Sequence, residues 1–279
     1  MKIAFWSNVS DRCAVSENLA AISIASVIRY SYSVVMMENR LCNHNLGRAF
    51  MGNSNVAPLN EVGTNYYDGA GIESLLRKIY RGEKPVGNIL KHMKEIIQKR
   101  LYYIPQSRVI HSEIFDYEFD HCLHPLLSMM EEFADICFID TASQNNLSTK
   151  TILEESDLIV VNLCQKQNIL EDFFLNYSSL ISKSVFIISN YELNSLLNSR
   201  RIATTFRIPW ENIAVIPYNE RYEDAFLHGN VNEFIQANYK CTKDSSNFMF
   251  MQGVKKASYI IMKRVELPKK LKVVRACGK

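Results

Sequence analysis

Two short segments of this chain are apolar almost from end to end: Ile136-Cys137-Phe138-Ile139 closing on Asp140, and Leu158-Ile159-Val160-Val161-Asn162-Leu163. Neither alternates with a period of two, and each is shorter than a usual helix. Strands look like this when both faces of their sheet are covered. Such a sheet needs helices on each side, so the feature points to an α/β fold, a three-layer sandwich around a mostly parallel sheet.

The rest of the sequence fits that demand, because short β-rich runs alternate with longer helical patterns. Further strands are expected at 3–6, 34–37, 102–104, 115–119, 184–189 and 213–216. Helices are expected at 16–29, 72–81, 86–101, 123–133, 169–180 and 193–205, and from Pro217 onward to about residue 265. Residues 39–68 are rich in Asn and Gly and read as a long loop. No repeat or linker divides the chain, so residues 1–265 read as one domain and 266–279 as a basic tail.

Composition narrows the function. Apolar types make up 47% and charged types 22%, as in ordinary soluble chains, and the net charge is only +3. That balance gives no support to a nucleic-acid-binding protein. No apolar stretch reaches the ~18 residues of a membrane span, and the start is too short for a signal-peptide core. Seven scattered cysteines without a CxxC fit a reduced, cytoplasmic protein.

Glycine is scarce and unevenly placed. Of ten, seven fall between Gly47 and Gly87, none precedes Gly47, and none lies between Gly87 and Gly229. A standard glycine-rich phosphate loop near the N-terminus is therefore excluded.

In an open parallel sheet, ligands bind beyond the carboxyl ends of the strands. Ser7, Glu38, Asp140-Thr141, Gln165, Asn190 and Pro217-Tyr218-Asn219 stand there. An Asp-Thr strand end suits a Mg²⁺-associated carboxylate followed by a phosphate-sensing loop, although Asp also caps loops and helices. The segment from Ser7 to Ser16 sits where a phosphate loop belongs, but Ala14 and Val15 occupy the places of a Gly-Lys pair. Asp11 adds a negative charge, Arg12 is the lone cation, and Cys13 completes the loop. Ser16 could serve a metal or phosphate, and its expected role is the commoner one of helix N-cap.

Three strings in this order resemble the ParA/MinD-type P-loop ATPases of the SIMIBI group, and within them the TadZ/CpaE-like branch tied to Flp/Tad pilus assembly. FWSNVSDRCAVSENLAAIS resembles the first strand, phosphate loop and first helix. FIDTAS resembles the switch II strand and loop. IPYNERYEDAFLHGNVNEF resembles the C-terminal Ile-Pro strand end and the helix after it. The resemblance implies a P-loop NTPase architecture over residues 1–265 and ATP with Mg²⁺ as the ligand. It assigns nucleotide contacts to Asp11, Arg12, Cys13, Ala14, Val15, Ser16, Asn190 (the base-contacting Asn position) and Pro217. Ser16 and Asp140 would attend the Mg²⁺, and Asp140 and Thr141 would form switch II. Gln165 fits as well.

The departures from the family pattern weigh against hydrolysis. The loop lacks its glycines and both lysines, Ala142 follows Asp140-Thr141 where Gly is usual, and Glu38-Asn39 replaces a catalytic Asp. Loss of one such electrostatic contact commonly costs ~10²-fold in rate. The resulting expectation is a pseudo-ATPase with a degenerate Walker A segment, a homodimer that binds protein components of a pilus-type or secretion machine. A slow ATP-dependent switch is the first alternative.

Two other groupings compete for attention. His111, Glu113, Asp116, Glu118, Asp120, His121, Cys122 and His124 crowd one segment, but their spacing is poor for zinc and 115–120 alternates like a half-exposed strand. No metal site is expected. The last helix carries Val254, Ala257, Ile261 and Val265 on one face and Lys255, Lys256, Lys263 and Arg264 elsewhere. With the basic tail it could touch an anionic membrane surface, which gives a second alternative, a membrane-surface adaptor at the inner face of the cell membrane. The expected role of that face is core packing.

Overall fold

The computed structural model describes residues 1–39, 46–52, 71–83, 85–106 and 112–277; the side chains of 85–88, 112 and 267–277 are outside that description. In chain order the elements are β1 (Lys2–Trp6), α1 (Val15–Arg29), β2 (Val34–Glu38), α2 (Gly47–Met51), α3 (Ile72–Tyr80), β3 (Lys94–Ile97), β4 (Leu101–Tyr103), α4 (Ser112–Phe133), β5 (Ile136–Asp140), α5 (Leu147–Glu155), β6 (Leu158–Leu163), α6 (Gln167–Asn176), β7 (Ser184–Ser189), α7 (Ser199–Thr205), β8 (Ile213–Ile216), α8 (Glu220–His228), α9 (Val231–Asn238) and α10 (Phe248–Cys277).

Eight strands form one sheet in the order β3-β4-β2-β5-β1-β6-β7-β8. Every neighbouring pair is parallel except the edge pair β3–β4. The three-layer α/β sandwich expected from the sequence is therefore present. Alternation along the strands sorts side chains onto two faces. Ala4 and Trp6 of β1 face one core with Phe115, Phe119 and Phe173, whereas Ile3 and Phe5 face the other with Leu19, Phe226 and Ile261. Both faces of β5 and β6 are covered, as their unbroken apolar sequence demands.

The middle of the chain keeps the strand expected at 102–104 and the helix expected at 123–133 and departs from expectation between and before them. Residues 115–119 are helical, not a strand: Tyr117, placed inward by a two-residue period, is exposed, while Phe115 and Phe119 are fully buried one helical turn apart with ring centroids at 5.3 Å. Four-residue spacing continued by Leu123 and Leu127 wins over local alternation. Residues 86–101 are not one helix but a 3₁₀ segment, Pro85–His92, followed by the β3–β4 hairpin. Lys99 turns that hairpin at φ 56°, and β-branched Ile96 and Ile97 favour the strand. Only Ser199–Thr205 of the helix expected at 193–205 forms, capped by the Asn198 side chain. Apart from Asn39 and residues 46–52, the loop expected at 39–68 lies outside the described residues.

The apolar stripe of α10 is buried, and Gly253 lets the helix meet β8: a Cβ there would stand 2.3 Å from the Val215 carbonyl oxygen. Its cations engage the neighbouring 3₁₀ turn Trp210–Asn212. Lys256 lies over the Trp210 ring, Lys263 pairs with Glu211 at 3.3 Å, and Arg264 donates to Asn212 at 2.8 Å. Among the described residues no helix is long and apolar enough to cross a membrane.

Candidate functional site

The central strands β1 and β5 end side by side, Phe5 opposite Asp140, and the amide of Thr141 donates to the Phe5 carbonyl at 2.9 Å. The chain leaves β1 at Ser7, loops through Ala14 and enters α1. Between this loop and the end of β5 lies a cavity of about 340 Å³. Ser7, Ser10, Ser16, Thr141 and Ser143 bring hydroxyls to it, Cys13 a thiol, and Asp11 and Glu17 carboxylates. Lys and Arg are absent from its lining among the described residues.

The loop has the contorted backbone expected of an anion cradle without the residue that makes such a backbone easy. Asp11 (φ 52°) and Ala14 (φ 47°, ψ 46°) are both left-handed. For an L-residue with a Cβ that conformation costs roughly 1–2 kcal/mol, less for Asp, whose short polar side chain can hydrogen-bond locally. External ties hold it. Asn8 Nδ2 donates to the Ile169 carbonyl at 3.1 Å and to Asp172 at 2.8 Å, both on α6, and Ser10 and Ser143 share a hydroxyl hydrogen bond at 2.6 Å across the cavity.

Ser16 does not cap α1. Ala14 is the N-cap residue and makes no side-chain cap, whereas the Ser16 hydroxyl donates to Asp140 Oδ2. Both residues are buried. The expected cap role fails because α1 begins one residue earlier, which puts Ser16 in the first turn, facing the strand end. Two residues further along α1, Asn18 donates to Asn162 at 2.9 Å and to Ser189 at 2.8 Å, tying α1 to β6 and β7 through a buried polar cluster.

Sequence reasoning noted Asn39 only as part of the Glu38-Asn39 departure and missed its bonding role on the β5 side. Asn39, fully buried, accepts from the Ala142 amide at 2.6 Å and donates to Thr149 at 3.2 Å and Ser148 at 3.4 Å. It fastens the loop after Asp140 to the start of α5. Beside it, Glu38 accepts from the Tyr103 hydroxyl at 2.7 Å, and burial with that carboxylate raises the Tyr103 hydroxyl well above its ordinary range. The Asp-to-Glu38-Asn39 departure thus coincides with a packed polar junction.

Of the other expected site residues, Arg12 is exposed and Asn190 and Pro217 stand just beyond β7 and β8; none of the three lines the cavity. Asn190 is left-handed at φ 48°, which Asn tolerates. Gln165 spans the next loop, donating to the Glu192 and Leu197 carbonyls at 3.1 and 2.9 Å and accepting from the Glu192 amide at 2.6 Å. The acidic and histidine-rich segment lies along α4, where Glu118 pairs with Arg77 at 2.8 Å and His124 with Glu155 at 2.6 Å. His111 lies outside the described residues, and among those described no three potential ligands gather.

No protein-family model matches the sequence, and no curated protein does. Solved structures match over nearly the full length. A ParA family ATPase from Chlorobium tepidum superposes with a TM-score of 0.68 at 16% identity, covering 92% of this chain and 97% of that one. The cell division ATPase MinD from Pyrococcus furiosus gives 0.66 at 16% identity, covering 94% and 98%. The fold is that of the ParA/MinD ATPases. MinD from Pyrococcus horikoshii, solved with Mg-ADP, gives 0.61 at 14% identity over 92% and 93%.

The ParA/MinD fold sharpens the question of what this cavity can hold. The Ser16–Asp140 pair is a hydroxyl and a carboxylate of the kind that attends a hydrated Mg²⁺. The wall that would meet the phosphates presents Asp11, Ala14 and Val15 and, among the described residues, no cation. Polyphosphate needs cationic or amide donors that offset its charge, and two carboxylates at the cavity oppose it. The ParA/MinD fold is present; among the described residues the cavity brings two carboxylates and no lysine or arginine to the place where the resemblance puts the phosphates.

Proposed function

We propose that this chain is a degenerate ParA/MinD-like protein that acts by dimerisation and partner binding, not by nucleotide turnover. The observation that carries the reading is a cavity at the phosphate-loop position with the Ser16–Asp140 pair in place and, among the described residues, no lysine or arginine in its lining. A hydroxyl–carboxylate pair without the phosphate cradle keeps a fold element and drops the transition-state stabilisation that phosphoryl transfer depends on. The sequence resemblance to the TadZ/CpaE-like branch supports a role in positioning or assembling a Tad/Flp pilus-type machine, with protein components of that machine as partners. Association of the solved MinD from Aquifex aeolicus with MinC is an instance of this fold engaging a protein partner.

Isothermal titration of the full chain with Mg-ATP, alongside sedimentation in the presence and absence of nucleotide, tests the proposal. The expected result is no saturable micromolar binding and a dimer whose stability ignores nucleotide. Micromolar affinity with measurable turnover overturns it and establishes the slow-switch alternative. In that case Asp140→Ala would abolish nucleotide-dependent dimerisation.

A further inference from the structure

An open pocket of about 480 Å³ lies between α7 and the segment that leads into the amino end of β8. Arg200, Ala203 and Thr204 line it from α7, three and four residues apart and so on one helix face; Ile208 and Trp210 line it from the following segment. The helix end gives the pocket its shape. The Ile208 amide donates to the Ala203 carbonyl at 2.9 Å and the Arg207 amide to the Thr204 carbonyl at 3.4 Å, a closure that folds Ile208 back toward Ala203. Both of these side chains are buried and form the apolar part of the lining. The left-handed residue of such a closure is ordinarily glycine. Here it is Arg207, at φ 54° and exposed. Trp210 is 56% exposed even with Lys256 set 5.0 Å from its ring centroid.

Charge around this pocket is one-sided. Arg200, Arg201 and Arg207 are exposed, and among the described residues no carboxylate pairs with any of them. Glu211, the acid that follows Trp210, is held by Lys263 at 3.3 Å. An exposed tryptophan beside unpaired guanidinium groups has the composition of a binding hot spot, and the planar guanidinium takes a carboxylate through two hydrogen bonds. We propose that this pocket docks an acidic peptide segment of a partner protein. An aromatic or large aliphatic side chain of that segment enters against Trp210 and Ile208, and a neighbouring carboxylate pairs with Arg200. Single-stranded nucleic acid also stacks on rings, but it needs a groove of cations that tracks its backbone. Lys263 and Arg264 are engaged by Glu211 and Asn212, and the buried apolar lining suits a side chain better than a phosphate chain. The site deepens the partner-binding reading above and rests on it for the existence of a protein partner. It stands at the opposite end of the parallel strands from the Ser16–Asp140 cavity, so the two are tested separately.

The chain has two tryptophans, Trp6 buried and Trp210 exposed, so acrylamide quenching of its fluorescence reports on Trp210. The test titrates the full chain with three capped peptides that carry no tryptophan: Glu-Asp-Phe-Asp-Glu, Glu-Asp-Gly-Asp-Glu and Lys-Lys-Phe-Lys-Lys. The expected result is saturable binding of the first, at least tenfold tighter than either control, with Trp210 shielded from the quencher. Equal affinity for all three, or no saturable binding, overturns the proposal with no variant needed. Arg200→Glu should weaken the first peptide about tenfold, as should Trp210→Ala when followed by isothermal titration. Arg221→Glu, an exposed arginine on α8 away from the pocket, should leave it unchanged. Equal losses in Arg200→Glu and Arg221→Glu would reduce the effect to bulk charge and overturn the site. An oligothymidylate that displaces the peptide and binds more tightly at physiological salt overturns the choice of a peptide. Failure here leaves the Mg-ATP titration of the cavity untouched, and micromolar Mg-ATP binding there leaves this peptide result standing.

Discussion

Left-handed backbone occurs at two instructive places in this molecule. At the ends of α2 and α8, Gly52 (φ 61°) and Gly229 (φ 78°) touch through their main chains; a Cβ on Gly229 would stand 2.2 Å from the Gly52 nitrogen. Beside the cavity, Ala14 and Asp11 adopt similar φ angles with side chains attached. At the first place there is no space for a Cβ; at the second only the dihedral angle favours glycine. The dihedral preference alone is a matter of about 1 kcal/mol, which surrounding ties can hold, whereas a backbone clash has no cheap relief.

This contrast can be broken in several ways. Gly229→Ala should have the largest effect, a loss of about 3 kcal/mol in denaturant unfolding, from the clash and the unfavourable angle together. A neutral result would mean that α2 and α8 part easily. Asn39→Ala should cost about 2 kcal/mol, because the Ala142 amide and the Thr149 hydroxyl both lose their buried partner. Ala14→Gly should go the other way and stabilise by about 1 kcal/mol, offset in part by the freer unfolded chain. Its calorimetric binding of Mg-ATP should stay at the wild-type level, whereas the double change Ala14→Gly with Val15→Lys should raise it. No gain in the double variant would place the defect elsewhere, with Asp11 and Glu17 the next groups to neutralise. The smallest effect concerns pH. With its thiol held below the ordinary range by Cys13 and Lys166, Cys164 should alkylate faster as pH rises, reaching its plateau at lower pH than an ordinary thiol. Cys13→Ser should move that profile toward higher pH, since the largest contribution is the Cys13 hydrogen bond.

Legibility in the sequence followed the range of the forces involved. The strands β5, β6 and β7 are readable because burial on both faces writes itself into every residue, and Ser7, Ser16 and Asp140 follow as strand-end and helix-start positions. The stretch from 115 to 119 is not, because Phe115-Asp116-Tyr117-Glu118-Phe119 satisfies a two-residue and a four-residue spacing at once. Only Phe115 packing on Phe119 and the exposure of Tyr117 decide between them. The bonding role of Asn39 was illegible for a different reason. Its partners lie more than a hundred residues away, and an Asn at a strand end carries no local sign of what the sheet order will set beside it.

The ties of Asn8 to Ile169 and Asp172 bear on how this molecule breathes. Local opening happens in cooperative blocks, and a segment joins the block to which its buried hydrogen bonds run. The first cavity wall is bonded to α6 as well as to its own flanking elements, so it cannot lift away as an isolated surface loop. Its amide hydrogen exchange should track that helix, and a ligand entering the cavity would meet a wall already set in shape.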